Sequence, residues 1–300
     1  MKALRNPWRI MIPIILITLT AIACGDGGDD PGNLSNDLET LPEDTGGTHS
    51  AKLLGSTSAD FGYYIYLPGG YNSGTHNYPL LIFLHGGPER GDGTNTASVL
   101  NKVLVNGPPK MIKDNQWDPK YPMIVVSPQF HKMEDGENPN NWGGGNPAHL
   151  KKFIEHIMQT YRVNENRIYL TGLSHGGNGV FDYLTKQDES TSHIAAAAPV
   201  AAWGSNSGYN KSKSIPIWVF IGDEDGNPGG NYTNSMNFVT NYNNQNPAPL
   251  HKAKITVFEN AGHNVWTRTY SGSGIGTADP DFDPFDESLY DWFLDQSKEN

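Results

Sequence analysis

A single cysteine, Cys24, occurs in the 300 residues of this chain, so no disulfide forms within it and stability rests on core packing. Basic residues are the next shortage. Twenty-one Lys and Arg stand against 32 Asp and Glu, for a formal net charge of −11. Such a chain lacks the basic footprint that nucleic acid requires, and broad charge attraction to acidic polymers is excluded with it. Long hydrophobic runs are also missing. The uncharged stretch Ile10 to Ala23 is short for a membrane span, and no long apolar segment suited to a lid follows it. There is no internal repeat and no sign of a second folded domain.

What is present begins with a leader. Lys2, Arg5 and Arg9 precede the apolar run, and Ala21-Ile22-Ala23 leads into Cys24. This is the pattern of a secretory signal peptide over residues 1–23. Its loss takes the formal charge from −11 to −14. The segment resembles bacterial lipoprotein signals, with Ala21 where leucine is most usual, and that resemblance implies acylation of Cys24. Residues 24–50 are rich in Gly, Asp, Asn, Thr and Pro, and are expected to form a flexible tether. Its acidic start is similar to the export signals of surface lipoproteins. The expected location is the cell envelope, lipid-anchored at the outer membrane or cell surface, or else secreted. The anchor is the only expected contact with a membrane.

The folded domain is expected over 51–300. Tyr63–Leu67, Leu80–Leu84, Met123–Ser127, Arg167–Thr171, Ile194–Val200, Ile215–Ile221 and Lys254–Phe258 read as strands. Several are continuous apolar runs of the kind buried on both faces. Helical spacing appears in Leu150, Phe153, Ile154, Ile157, Met158 and Tyr161, in Val180, Phe181, Tyr183 and Leu184, over Asn231–Asn243, and in Leu289, Trp292 and Phe293. Strands alternating with helices predict an α/β three-layer sandwich around a mainly parallel central sheet.

The most informative stretch is Gly172-Leu173-Ser174-His175-Gly176-Gly177, a G-x-S-x-G pattern between a predicted strand and a predicted helix. A turn so sharp requires bare residues two before and two after the serine, here Gly172 and Gly176. The hydroxyl is then exposed at a helix start, where backbone N–H groups favour developing negative charge. A serine in this setting needs a base. Seven of the ten histidines, His49, His76, His131, His149, His156, His193 and His251, fall in the tether, in loops or on helix faces. His85 ends a buried strand and reads as a structural partner. The side chain of His175, next to the serine, is expected to point away from it. His263, in Asn260-Ala261-Gly262-His263-Asn264 after the last strand, is the candidate base.

The acid must lie between Ser174 and His263 in the chain. Gly222-Asp223-Glu224-Asp225 offers three carboxylates, of which Asp225 is preferred and Asp223 is the alternative. A calcium reading of this loop fails because Pro228 stands where an EF-hand needs glycine. The pattern calls for no metal and no cofactor. Oxyanion donors are expected from the N–H of His175 and from the loop His85-Gly86-Gly87-Pro88-Glu89-Arg90-Gly91. There Pro88 has no N–H to give, and Gly87 is the choice. One such donor is worth about 3 kcal/mol of transition-state stabilisation.

The segments Leu84-His85-Gly86-Gly87-Pro88-Glu89-Arg90-Gly91, Ser127-Pro128-Gln129, Gly172-Leu173-Ser174-His175-Gly176-Gly177 and Gly262-His263-Asn264-Val265-Trp266 occur in that order. Over about Phe61 to Leu294 they resemble the α/β-hydrolase branch of phospholipase/carboxylesterase, dienelactone hydrolase and feruloyl or acetyl-xylan esterase-like proteins. His175 departs from the commoner methionine, and Ile221 from a frequent histidine. The resemblance implies a serine ester hydrolase with Ser174, His263 and Asp225 as its triad. Trp142, Trp203 and Trp266 are candidates for stacking on sugar or phenolic rings. With no lid, these aromatics suit an ester substrate such as decorated plant polysaccharide or its oligosaccharides. The competing readings are a serine peptidase of the same fold and a non-catalytic surface binding protein.

Overall fold

The computed structural model describes residues 36–117, 122–131, 142, 147–204, 207–226 and 231–298. Cys24 and the leader, Gly143 to Gly145 and Pro228 lie outside the described residues. Among the described residues, eight strands form one sheet: β1 (Thr48–Lys52), β2 (Gly62–Leu67), β3 (Tyr78–Leu84), β4 (Ile124–Gln129), β5 (Val163–Leu173), β6 (Ala196–Val200), β7 (Trp218–Gly222) and β8 (Lys254–Phe258). Their order is β1-β2-β4-β3-β5-β6-β7-β8. β2 runs antiparallel to both neighbours, and every pairing from β4 to β8 is parallel.

Every residue of β3, β4, β6 and β7 is buried. This is why they read as unbroken apolar runs: helices cover both faces of the parallel part. Strand alternation divides the core. Leu80, Ile82 and Leu84 join Phe153, Ile157, Val180, Phe181, Phe238 and Tyr242 on one side. Leu81 and Phe83 join Trp218, Phe220, Leu289, Trp292 and Phe293 on the other. Each such large side chain, fully buried, is worth about 1.5–3 kcal/mol. The helices Pro147–Thr160, His175–Lys186 and Asn231–Asn243 cover the first side, and Leu289–Leu294 the second. Chain order reverses direction across the sheet between β3 and β5. Loops leaving two such strands part to opposite sides and open a crevice at their carboxyl ends.

The expected tether needs correction. Residues 36–50 belong to the folded unit. Asp37 forks onto Arg167, which is 2% exposed, with Oδ2 accepting from Nε at 2.7 Å and Oδ1 from Nη2 at 2.9 Å. Asp44 is fully buried and accepts from the Gly69 N–H at 2.8 Å and the Tyr66 hydroxyl at 2.9 Å. Burial raises its pKa against the pull of those donors. β1 then pairs with β2 at the sheet edge, and His49, counted with the tether, lies within β1. A polar composition concealed this. The segment is held by hydrogen-bonded carboxylates and edge-strand hydrogen bonds, with Leu41 packed against the core.

Candidate active site

β5 ends at Leu173 and a helix starts at His175, so Ser174 has one residue in which to reverse the chain. It does so at φ 52° and ψ −118°, a conformation that costs a non-glycine residue roughly 1–3 kcal/mol. The glycines on either side have no alternative. A Cβ on Gly176 would lie 2.0 Å from the Leu84 carbonyl oxygen, and one on Gly172 2.6 Å from the Gly176 carbonyl. The strain is held by the Ser174 N–H donating to the Val200 carbonyl at 2.9 Å and by the Asn178 N–H donating back to the Ser174 carbonyl at 3.0 Å.

The loop after β8 brings His263 to this serine. The Ser174 hydroxyl donates to His263 Nε2 at 2.9 Å, and His263 Nδ1–H donates to Asp225 Oδ2 at 2.9 Å. The histidine side chain is 30% exposed and the aspartate is completely buried. Asp225 sits on the loop after β7, whose backbone folds tightly, with the Asp225 N–H bonded to the Gly222 carbonyl. Its other oxygen accepts from Asn231 Nδ2 at 3.0 Å, and Asn231 is itself wholly buried. Asn231, at the head of a polar helix, gave no signal in the sequence. Its partner is set by tertiary folding alone.

Asp223 does something else. Its Oδ1 accepts from the Ala261 N–H at 3.0 Å, which lowers its pKa, and it faces solvent. It ties the acid loop to the base loop. Gly222 permits the two loops to touch, since a Cβ there would meet the Ala261 carbonyl at 2.1 Å.

The glycine-rich loop after β3 runs beside the serine. Gly87 opens a short 3-10 turn with Pro88 and Glu89. A Cβ on Gly87 would lie 3.0 Å from His175 Nδ1. The His175 ring thus lies over Gly87, and stands perpendicular to Trp203 at 5.7 Å. Burial lowers its pKa, helped by Arg90 and His263. The His175 N–H belongs to the first turn of its helix, where backbone donors have no acceptor within the helix. The loop is clamped to the end of β4. Gly91 N–H donates to the Phe130 carbonyl at 2.8 Å, Gln129 Nε2 to the Glu89 carbonyl at 2.9 Å, and Phe130 N–H to His85 Nε2 at 2.9 Å. His85 Nδ1–H donates to the Gly86 carbonyl at 2.6 Å. Burial holds its pKa down to about 4, so the ring is neutral.

The three tryptophans part ways. Trp203 is half-buried, its backbone N–H held by Asn178 Oδ1 at 3.0 Å. Trp266 stands perpendicular to the His263 ring at 5.2 Å and donates its indole N–H to Asn106 Oδ1 at 3.3 Å. Trp142, expected with them, is 3% exposed and packs in the core against Phe61, Phe130 and His85 at 5.3–5.4 Å. Its polar neighbours in sequence hid an apolar gap between β2 and the elbow helix, which a large ring fills.

No protein-family model matches the chain, and no curated protein matches it. Solved structures do. A thermostable esterase aligns at 25% identity and a TM-score of 0.58, covering 84% of this chain and 63% of its own. The feruloyl esterase module of Clostridium thermocellum, solved with sinapinate, aligns at 14% identity and a TM-score of 0.53, covering 85% and 90%. This chain has the α/β-hydrolase fold. An acylaminoacyl peptidase from Pyrococcus horikoshii shares the α/β-hydrolase fold at 14% identity and a TM-score of 0.50, over 78% of this chain and 40% of its own. Within this α/β-hydrolase fold, Ser174, Asp225 and His263 follow strands β5, β7 and β8 in that order.

Proposed function

We propose that the chain is a serine ester hydrolase. The observation that carries this is the unbroken hydrogen-bonded line from Ser174 through His263 to buried Asp225, with the serine held at a strained elbow. In the proposed reaction His263 Nε2 takes the hydroxyl proton as Ser174 Oγ attacks the ester carbonyl. Negative charge gathers on the former carbonyl oxygen, against the N–H groups of His175 and Gly87. Collapse breaks the ester C–O bond, and the alcohol leaves with the proton from His263. Water then attacks the acyl-enzyme, giving its proton to His263. The acid departs and Ser174 regains its proton. Asp225 keeps Nδ1 protonated throughout, and Asn231 keeps Asp225 in line.

The substrate we propose is an ester-decorated plant polysaccharide or its oligosaccharides, with a feruloyl or acetyl group as the acyl part. Trp203 and Trp266 support this reading. Each stands edge to face with an imidazole beside the nucleophile, and flat rings so placed suit a phenolic or sugar ring. Cys24 is the proposed site of a lipid anchor, with multiple acyl chains needed for stable attachment.

A fluorophosphonate probe and an ester panel test the proposal. The panel comprises methyl ferulate, acetylated xylan, short and long p-nitrophenyl esters, and a matched anilide. The expected result is labelling of Ser174 and turnover of esters well above the amide. A wild-type chain inert to the probe and to every ester overturns the reading. Faster turnover of the anilide moves the chain to peptidases.

A further inference from the structure

The catalytic reading leaves one buried acid without a task. Glu89 is 5% exposed. Its Oε1 accepts from Asn106 Nδ2 at 2.8 Å, and its Oε2 is buried with no hydrogen-bond partner among the described residues. That second oxygen would lie 3.0 Å from a Cβ on Gly86. The carboxylate is therefore folded under the backbone that leads into Gly87.

Asn106 is the residue before the helix Gly107–Lys113, with extended φ −143° and ψ 162°. Asparagine there ordinarily turns its side chain onto the N–H groups of the helix start, for about 1 kcal/mol. Here it makes no such bond. The amide is engaged at both ends elsewhere, its nitrogen donating to Glu89 and its oxygen accepting from the Trp266 indole. Only one orientation serves both neighbours, because a carboxylate has no proton to give and an indole N–H accepts none. Trp266 in turn stands at 85° to the His263 ring.

We propose that Asn106 is a positioning residue, strapping the oxyanion loop to the base loop through Glu89 on one side and Trp266 on the other. The inference rests on the serine-hydrolase reading. Its physical need is plain in the sheet. The oxyanion loop leaves β3 and the base loop leaves β8, with β5, β6 and β7 between them. No ladder of backbone bonds joins these two loops, yet a misplacement of about 1 Å between donor and base costs on the order of 100-fold in rate. A strap made in both ground and transition states acts on kcat through geometry and leaves substrate affinity nearly alone.

The test exchanges donor and acceptor across the strap. Asn106→Asp removes the donor and sets two carboxylates face to face. It is expected to lower kcat on p-nitrophenyl acetate at least about 10-fold, with KM within about twofold. Adding Glu89→Gln restores a donor opposite the new carboxylate, and is expected to bring kcat back to within about threefold of wild type. Wild-type kcat in folded Asn106→Asp, or a double variant no faster than the single, overturns the strap. If the single variant does not fold, Asn106→Ala and Glu89→Ala decide it: each must lose kcat with KM held, and unchanged kcat in both overturns it. Fluorophosphonate labelling runs beside these assays. An unlabelled wild type overturns the parent reading, whereas a labelled wild type with insensitive strap variants overturns only the strap.

Discussion

Asp223 and Asp225 stand two residues apart on one loop and hold different partners: Asp225 receives the His263 Nδ1–H, and Asp223 receives the Ala261 N–H two residues before that histidine. In the proposed mechanism one carboxylate orients the base, and the other positions the loop that carries it. The two contributions separate experimentally. Asp225→Asn should lower ester turnover by roughly 10⁴, as when a triad carboxylate is neutralised. Asp223→Asn should cost far less, since an amide oxygen still accepts from Ala261. Steady-state kinetics on one ester ranks them, and the reverse ranking moves the acid role to Asp223.

Ser174→Ala and His263→Ala should each cut turnover by several orders of magnitude while the urea midpoint stays near wild type, because the triad acts as a unit. A Ser174→Ala chain that keeps more than about a tenth of the activity would rule out the nucleophile.

Asn231→Ala removes a buried donor that bonds Asp225 Oδ1 and lies 3.4 Å from His263 Nδ1, while leaving all three triad side chains in place. A hydrogen bond to a charged group is worth about 1.5–3 kcal/mol, so kcat should fall about 10- to 100-fold. Rapid-quench or steady-state assays at saturating ester read this directly. No change in kcat would show that His263 alone holds the acid in place.

The N-terminal boundary has its own prediction. A chain starting at residue 36 should match the longer one in urea midpoint. A chain starting at residue 47 loses Asp37 and Asp44, leaving the Arg167 guanidinium, the Gly69 N–H and the Tyr66 hydroxyl without those partners. It should be less stable by about 2–4 kcal/mol. Equal midpoints for the two chains would return residues 36–46 to the tether.

Acid should weaken the fold through His85. The unfolded chain takes up this proton near the usual 6.5, and the folded chain only near 4, because burial disfavours the charged ring. Unfolding therefore absorbs a proton between those pH values. The contribution of neutral His85 is complete above pH 6.5 and is lost on descent toward pH 4, by about 3 kcal/mol at most. Urea midpoints measured at pH 7, 5.5 and 4.5 should fall in that order, and His85→Gln should flatten the slope. An equally steep slope in that variant would assign the effect to other groups.

Much of this molecule was legible in its order of residues. Helix Asn231–Asn243 and strand Lys254–Phe258 stand where the periodicity placed them. The apolar runs became parallel strands because a strand buried on both faces has no polar side to show. The Gly-x-Ser-x-Gly pattern carried its own geometry, since only a strand-to-helix reversal needs bare residues at both flanks. Local rules sufficed there, acting within a few residues. They failed where a partner lies far along the chain. Asn231, Asn106 and Asp44 are ordinary polar residues in sequence, and Trp142 stood in a polar stretch like a surface aromatic. For the acid, the loop pattern favoured Asp225 over Asp223, and packing set Asp225 against His263 and Asp223 against Ala261. Tertiary folding decided these cases, because a buried polar group takes its role from whichever donor or acceptor the packed chain brings within 3 Å. That neighbour is set by the sheet order and not by the adjoining residues.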